Sequence, residues 1–283
     1  KRVFDDAAKL LDFDLLSVCF DVTSDKLTET RYSQPSISVT SLAALAVLKA
    51  HPRCRQFEPR FVAGLSLGEA TALCAAEAIG FEDGVRFVRD RGLFMETAAR
   101  ENPGMMAAVL GLELSIVEKV CAQSGAEVGN LNAPGQIVIS GPKANLEEAI
   151  VRLKEAGARK AIPLDVSGAF HSRCMDSACQ KIAKALETVT ILPPKIPIVS
   201  NLTAAVETHP DDIKRNLVHQ MNHRTLWEDS MRYLIGQGIK TFIEFGPGKV
   251  LKGLLKKIDP AVETIPLGTL DDFHALDAQK VAV

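Results

Sequence analysis

Ser66 lies in the turn Gly64-Leu65-Ser66-Leu67-Gly68-Glu69, between the apolar run FEPRFVAG and the alanine-rich run EATALCAAEAIG. A serine hydroxyl attacks a carbonyl only when a base takes its proton and donors hold the oxyanion that forms. Small residues two positions either side of the serine permit a sharp strand-to-helix turn that pushes the side chain outward. On this reading the backbone N–H of Leu67 points at the attacked carbonyl from the positive end of a helix over 69–79. The alternative is a Gly-Ser turn that only caps that helix.

Six histidines could serve as the base. His51 and His209 each precede a proline, His219 and His223 lie in a polar helical stretch, and His274 is near the tail. His171 differs, because DVSGAFHSRCM places it at a second strand-to-helix junction, where functional groups collect in α/β proteins. Hydrolases of that class run serine, acid, histidine along the chain. Here no acidic residue is singled out as the orienting partner. Either His274 is the base of a hydrolase, or Ser66 and His171 form a dyad oriented by something other than a carboxylate.

The elements that must position these groups alternate helix periods with short apolar runs, which predicts an α/β protein. Strands are expected at 60–64, 196–201, 241–246 and 263–268, each a near-continuous apolar run ended by Gly, Ser or Asn, as buried parallel strands look. Helices are expected at 69–79, 83–99, 173–188, 228–237 and 248–257. Residues 104–167 read strand, helix, strand, strand, helix, strand, which is the ferredoxin-like order. The expected organisation is therefore a large α/β-hydrolase-like domain with a parallel sheet, residues 1–102 and 168–283, interrupted by a ferredoxin-like subdomain at 103–167.

Composition narrows the function classes. The 283 residues are 47% hydrophobic and 24% charged, with a formal charge of −2, which gives no sign of nucleic-acid binding. No apolar run approaches the roughly 20 residues that span a bilayer, and no signal peptide is visible. The cysteines Cys19, Cys54, Cys74, Cys121, Cys174 and Cys179 are scattered without a Cys-x-x-Cys pair. That pattern predicts reduced thiols in a cytoplasmic setting. No metal or cofactor site is expected, and a monomer is expected.

Five segments in order, GLSLGE, VRDRGLFM, NAPGQIVISG, GAFHS and FIEFGPGKVL, resemble malonyl-CoA:acyl carrier protein transacylases over nearly the whole chain. The resemblance implies a two-step transfer. Ser66 takes the malonyl group from malonyl-CoA with His171 as general base, and the phosphopantetheine thiol of acyl carrier protein then takes it from Ser66. It also implies that a main-chain carbonyl, at the position of Gln220, orients His171 in place of an acid. Arg91 matches the arginine that grips the malonyl carboxylate, where a guanidinium offers a planar fork that keeps its charge. The residues alone do not single it out from Arg86, Arg89 and Arg100. Phe170 matches a position that separates malonyl from methylmalonyl users, and its ring would crowd an α-methyl branch. Asn132 and Gln136 border the cleft by the same analogy, although turn chemistry around Pro134-Gly135 also accounts for them. The helix KVLKGLLKKI carries Lys249, Lys252, Lys256 and Lys257, which could form a basic face for an acidic carrier protein or an ordinary solvated surface.

Two departures stand out. Leu65 occupies the place where the family usually has histidine, which removes one polar contact near the acyl group. Nothing matches the family's opening strand and Phe-Pro-Gly-Gln-Gly loop, whose glutamine gives the other oxyanion donor. If that segment is absent rather than cut away, the expected loss in rate is about 10²–10³. The alternatives to malonyl transfer are a serine hydrolase or thioesterase using Ser66, and a non-catalytic module that binds carrier protein.

Overall fold

The computed structural model describes residues 1–21, 25–52 and 57–278; Cys54 lies outside them. Two short helices, α1 (Arg2–Ala8) and α2 (Leu15–Phe20), lead into the long α3 (Thr30–Ala50), which packs along α5 (Phe81–Glu101). Between them α4 (Leu67–Ala75) follows the Ser66 turn. In α5 the buried residues Val85, Val88, Gly92, Met95 and Ala99 repeat every three or four positions, the spacing of one helix face. Glu82 and Asp83 in its first turn and Arg100 in its last suit the helix dipole.

Residues 104–163 then form a separate layer. Its elements are β1 (Gly104–Leu110), α6 (Leu114–Ser124), β2 (Glu127–Ala133), β3 (Gln136–Pro142), α7 (Lys143–Glu155) and β4 (Lys160–Pro163). The sheet order is β2-β3-β1-β4 and every pair is antiparallel. The first and last strands are neighbours, with Ala107 opposite Pro163. The chain therefore enters and leaves this layer at nearly the same place. Ala107, Val109, Val117, Ile139, Leu146 and Leu153 fill a core of its own.

The chain returns through α8 (Asp176–Glu187), β5 (Ile198–Val199), β6 (Val206–Glu207), α9 (Pro210–His219) and α10 (Trp227–Gly236). It ends with β7 (Thr241–Phe245), α11 (Val250–Ile258), β8 (Glu263–Leu267) and α12 (Leu270–Ala278). The molecule is α/β, as expected, but its strands outside 104–163 do not form one continuous parallel sheet. Among the described residues, β7 and β8 pair in parallel, β5 and β6 pair antiparallel, and the 60–64 run contributes one parallel bridge, Val62 to Ile198. The 61–65 and 241–245 runs both line a large cavity, and Phe61, Ala63, Leu65 and Phe242 pack against one core cluster. Helix α4 starts at Leu67, two residues before the expected position, which brings it directly against Ser66. Among the described residues, no helix is long and apolar enough to cross a membrane.

Candidate active site

The Ser66 turn is built by backbone strain and one necessary glycine. Ser66 has φ 52° and ψ −103°, a conformation L-residues seldom adopt. A Cβ on Gly64 would lie 2.0 Å from the Gly68 carbonyl carbon and oxygen, so the two arms of the turn touch there. A Cβ on Gly68 would meet open space. The expectation that both glycines are needed is corrected accordingly: only Gly64 is sterically required. Asn201, which follows β5, secures the turn. Its Oδ1 accepts from the Ser66 N–H at 2.6 Å and its Nδ2 donates to the Gly64 carbonyl at 2.7 Å.

His171 comes from the loop after β4, also with positive φ, 58°. It is 4% exposed. Its Nε2 lies 2.8 Å from Ser66 Oγ and its Nδ1 lies 2.8 Å from the main-chain oxygen of Gln220, the residue that ends α9. A carbonyl oxygen only accepts, so Nδ1 carries the proton and Nε2 is left to accept from the serine hydroxyl. Burial, reinforced by the nearby Arg91 charge, pulls the imidazole down to about 4. The ring is thus neutral at ordinary pH and able to take a proton.

Arg91 projects from α5 and is 2% exposed. Its guanidinium donates to Ser66 Oγ at 3.0 Å, to Gln220 Oε1 at 2.8 Å and to Gln34 Oε1, on α3, at 2.6 Å. All three acceptors are neutral. Burial lowers its pKa to about 10, against the opposing pull of Glu69, so it stays charged at neutral pH. Glu69, in the first turn of α4, accepts from the Asn201 N–H at 3.1 Å and from Gln220 Nε2. Burial and the charge of Glu207 push its carboxyl up to about 7, partly offset by those hydrogen bonds and by Arg91.

Ser66, His171, Arg91 and Gln34 line a cavity of about 1040 Å³ between the 104–163 layer and the rest of the molecule. Leu65, Leu67, Phe170 and Asn132 line it too. Leu67 is the first residue of α4, so its N–H sits at the positive end of that helix. Asn132 Oδ1 is buried without a hydrogen-bond partner. Gln136 is turned away, its Oε1 accepting from Lys257 Nζ at 2.6 Å. His274 is exposed on α12. The basic face read on α11 is partly engaged, since Lys249 pairs with Asp272 at 3.3 Å while Lys252 and Lys256 are exposed. No group of three or more His, Cys, Asp or Glu among the described residues could hold a metal ion.

Three residues of this set were not read from the sequence. Glu69 stood in the quoted turn, and Asn201 ended an expected strand as its one amide. Gln34 gave no signal, because its helix is rich in Ser and Thr and contains Pro35.

A hydroxyl between a neutral imidazole and a buried guanidinium, on the wall of a deep cavity, is equipment for covalent transfer of an anionic acyl group. Residues 3–261 match the acyl transferase domain, and the chain belongs to that family. It is similar to the malonyl CoA-acyl carrier protein transacylase of Bacillus subtilis strain 168. Identity is 42% over 270 residues, covering 94% of this chain and 84% of that relative. An acyl carrier protein S-malonyltransferase crystal structure from Vibrio cholerae O1 biovar eltor matches with TM-score 0.93 and 34% identity. That match covers 98% of this chain and 90% of the other. A malonyl-transacylase solved in complex with its holo type II polyketide acyl-carrier protein matches with TM-score 0.92 and 31% identity, over 98% and 91% of the two chains.

Proposed function

We propose that this chain transfers the malonyl group of malonyl-CoA to the phosphopantetheine thiol of acyl carrier protein, through a malonyl ester on Ser66. The observation that carries this reading is the position of Ser66 Oγ, 2.8 Å from His171 Nε2 and 3.0 Å from an Arg91 nitrogen. In the first step Ser66 Oγ gives its proton to His171 Nε2 and bonds to the thioester carbon. The carbon–sulfur bond then breaks, and His171 returns the proton to the departing CoA sulfur. The second step reverses these roles, with the carrier thiol attacking the ester and Ser66 Oγ recovering its proton. The Gln220 carbonyl keeps the proton on Nδ1 throughout. The Leu67 N–H holds the oxyanion of both steps, a contribution of about 3 kcal/mol for one such donor.

Arg91 is the anchor for the malonyl carboxylate. Its present partners are neutral, and a carboxylate forms stronger, charge-assisted bonds to the same fork. This pairing also holds the acyl-serine away from water. Phe170 and Leu65 supply the apolar wall around the acyl chain. Asn132 offers its unpartnered amide oxygen to an N–H of the pantetheine arm. The domain reading follows the same logic: 103–167 is a ferredoxin-like subdomain inserted into a hydrolase-like domain formed by 1–102 and 168–283, with the site at their joint. The enzyme acts as a monomer, since Ser66, His171, Arg91 and Gln220 come from one chain. It works in the cytoplasm with reduced thiols, a reading supported by the five free cysteines among the described residues.

Mixing with malonyl-CoA should release CoA in a burst of about one equivalent, with steady turnover only after holo carrier protein is added. Steady CoA release without carrier protein would indicate a hydrolase instead. In Arg91→Ala the preference for malonyl-CoA over acetyl-CoA should fall by about 3 kcal/mol. Unchanged discrimination would remove Arg91 from its role.

A further inference from the structure

Glu69 sits three residues past the nucleophile and is 3% exposed. Its two oxygens serve two different partners. Oε1 accepts from the main-chain N–H of Asn201, whose side chain ties Ser66 N and the Gly64 carbonyl together. Oε2 accepts from Nε2 of Gln220, whose main-chain oxygen holds His171 Nδ1. The same Gln220 nitrogen reaches the Ser66 carbonyl at 3.1 Å.

We propose that Glu69 is a positioning residue that replaces the acid of a catalytic triad at one remove, bracing the nucleophile's turn through Asn201 and the base's acceptor through Gln220. The inference rests on the reading of Ser66 and His171 as nucleophile and base.

Hydrogen-bond chemistry makes the brace directional. A guanidinium only donates, and above about pH 7, where Glu69 is ionised, its carboxylate only accepts. The Gln220 amide, held between Arg91 and Glu69, can therefore lie only one way round, oxygen to Arg91 and nitrogen to Glu69. That lock fixes the side chain of the residue whose backbone carbonyl sets the His171 tautomer. Glu69 also sits in the first turn of α4, where a negative charge is favoured by the helix dipole. Arg91 from α5 and Glu207 from β6 are the charges that face it.

The test compares Glu69→Gln, Glu69→Asp and Leu73→Ala with the parent chain. Leu73 is buried on the same helix, 1% exposed, and belongs to the core rather than the site. Glutamine keeps the shape of Glu69 but sets an NH₂ against a donor. The rate of malonyl-ester formation on Ser66 should drop about 10²-fold. That is less than the ~10⁴ seen when an acid bonded directly to a catalytic histidine is neutralised. The malonyl-CoA concentration for half-maximal rate should stay within about threefold, because no contact to substrate is lost. In ¹⁵N spectra the His171 ring, fully in the Nδ1–H form in the parent, should become a tautomer mixture. Glu69→Asp, which keeps both acceptor oxygens, should recover part of the rate. Leu73→Ala should lose stability but keep both rate and tautomer.

An unchanged ester-forming rate in Glu69→Gln would overturn the proposal. So would a retained Nδ1–H tautomer, or an equal loss in Leu73→Ala. If Glu69→Gln does not fold, Glu69→Asp decides: slowed ester formation at constant half-saturation supports the brace, and full rate overturns it. The ¹⁵N spectra are taken without substrate. They judge Glu69 even if the parent chain forms no ester, a result that would count against the acyl-serine reading alone.

Discussion

Between two leucines, Ser66 has no neighbour in sequence that would activate it; its surroundings come from the turn. Its φ of 52° and the φ of 58° at His171 are strained positions, each costing roughly 1–3 kcal/mol, and they bring the two side chains tip to tip. Gly64→Ala should therefore destabilise the protein by about 1–3 kcal/mol through overpacking and abolish ester formation. Gly68→Ala should do neither, because its methyl meets open space. Denaturant unfolding with ester detection distinguishes the two, and equal damage from both would refute this account of the turn. The electrostatics make a second prediction. His171 should titrate near 4, and Arg91→Ala should move its midpoint up toward 6.5, since removing a positive charge favours the imidazolium. Because the folded value lies below the unfolded one, the stability this ring contributes is present above about pH 6.5. It is lost as pH falls toward 4. Imidazole NMR measures the midpoint, and an ordinary value near 6.5 in the parent would contradict the burial argument.

At the scale of elements, four separate pieces deliver the site: α4 with Ser66 and Glu69, α5 with Arg91, the loop after β4 with His171, and the end of α9 with Gln220. The 104–163 layer stands between the first two and the last two along the chain, yet its core is its own. Leu153→Ala, at a fully buried position in that core, should cost about 2–5 kcal/mol. It should raise hydrogen exchange across 104–163 first, leaving the Ser66 to His171 contact in place. Uniform loss of protection across the whole chain would show instead that the layers unfold as one. Several of these elements were legible in the sequence. The 241–245 and 263–267 runs fall within the strands expected at 241–246 and 263–268 and pair with each other, and the helix expected at 83–99 lies within α5. The order of the 104–163 elements could be read from turns and periods alone. Others were not. Helix α3 buries Ser36, Ser38 and Ser41 and contains Pro35, so neither its polarity nor its propensity announced a helix. The 60–64 run looks like a strand because it is apolar, but it makes a single parallel bridge, Val62 to Ile198, and lines the cavity.

For the whole molecule, the shape of the site follows from where two layers with separate cores meet. The cavity of about 1040 Å³ at that joint is at the upper end of the usual range for ligand sites, enough for an acyl group with a long pantetheine arm. The sequence located Ser66 by its glycines and His171 by its junction, but spacing alone could not place residues 105 positions apart at bonding distance. The Gln220 carbonyl beside His171 Nδ1 was expected only through the family resemblance, because a main-chain oxygen leaves no mark on side-chain identity. The central claim is a covalent acyl-serine at position 66, and intact-mass measurement after mixing with malonyl-CoA tests it most directly. The expected result is one malonyl adduct per chain, mapped to Ser66, absent in Ser66→Ala, and discharged by holo carrier protein. No adduct, or an adduct that persists in Ser66→Ala, would contradict the claim.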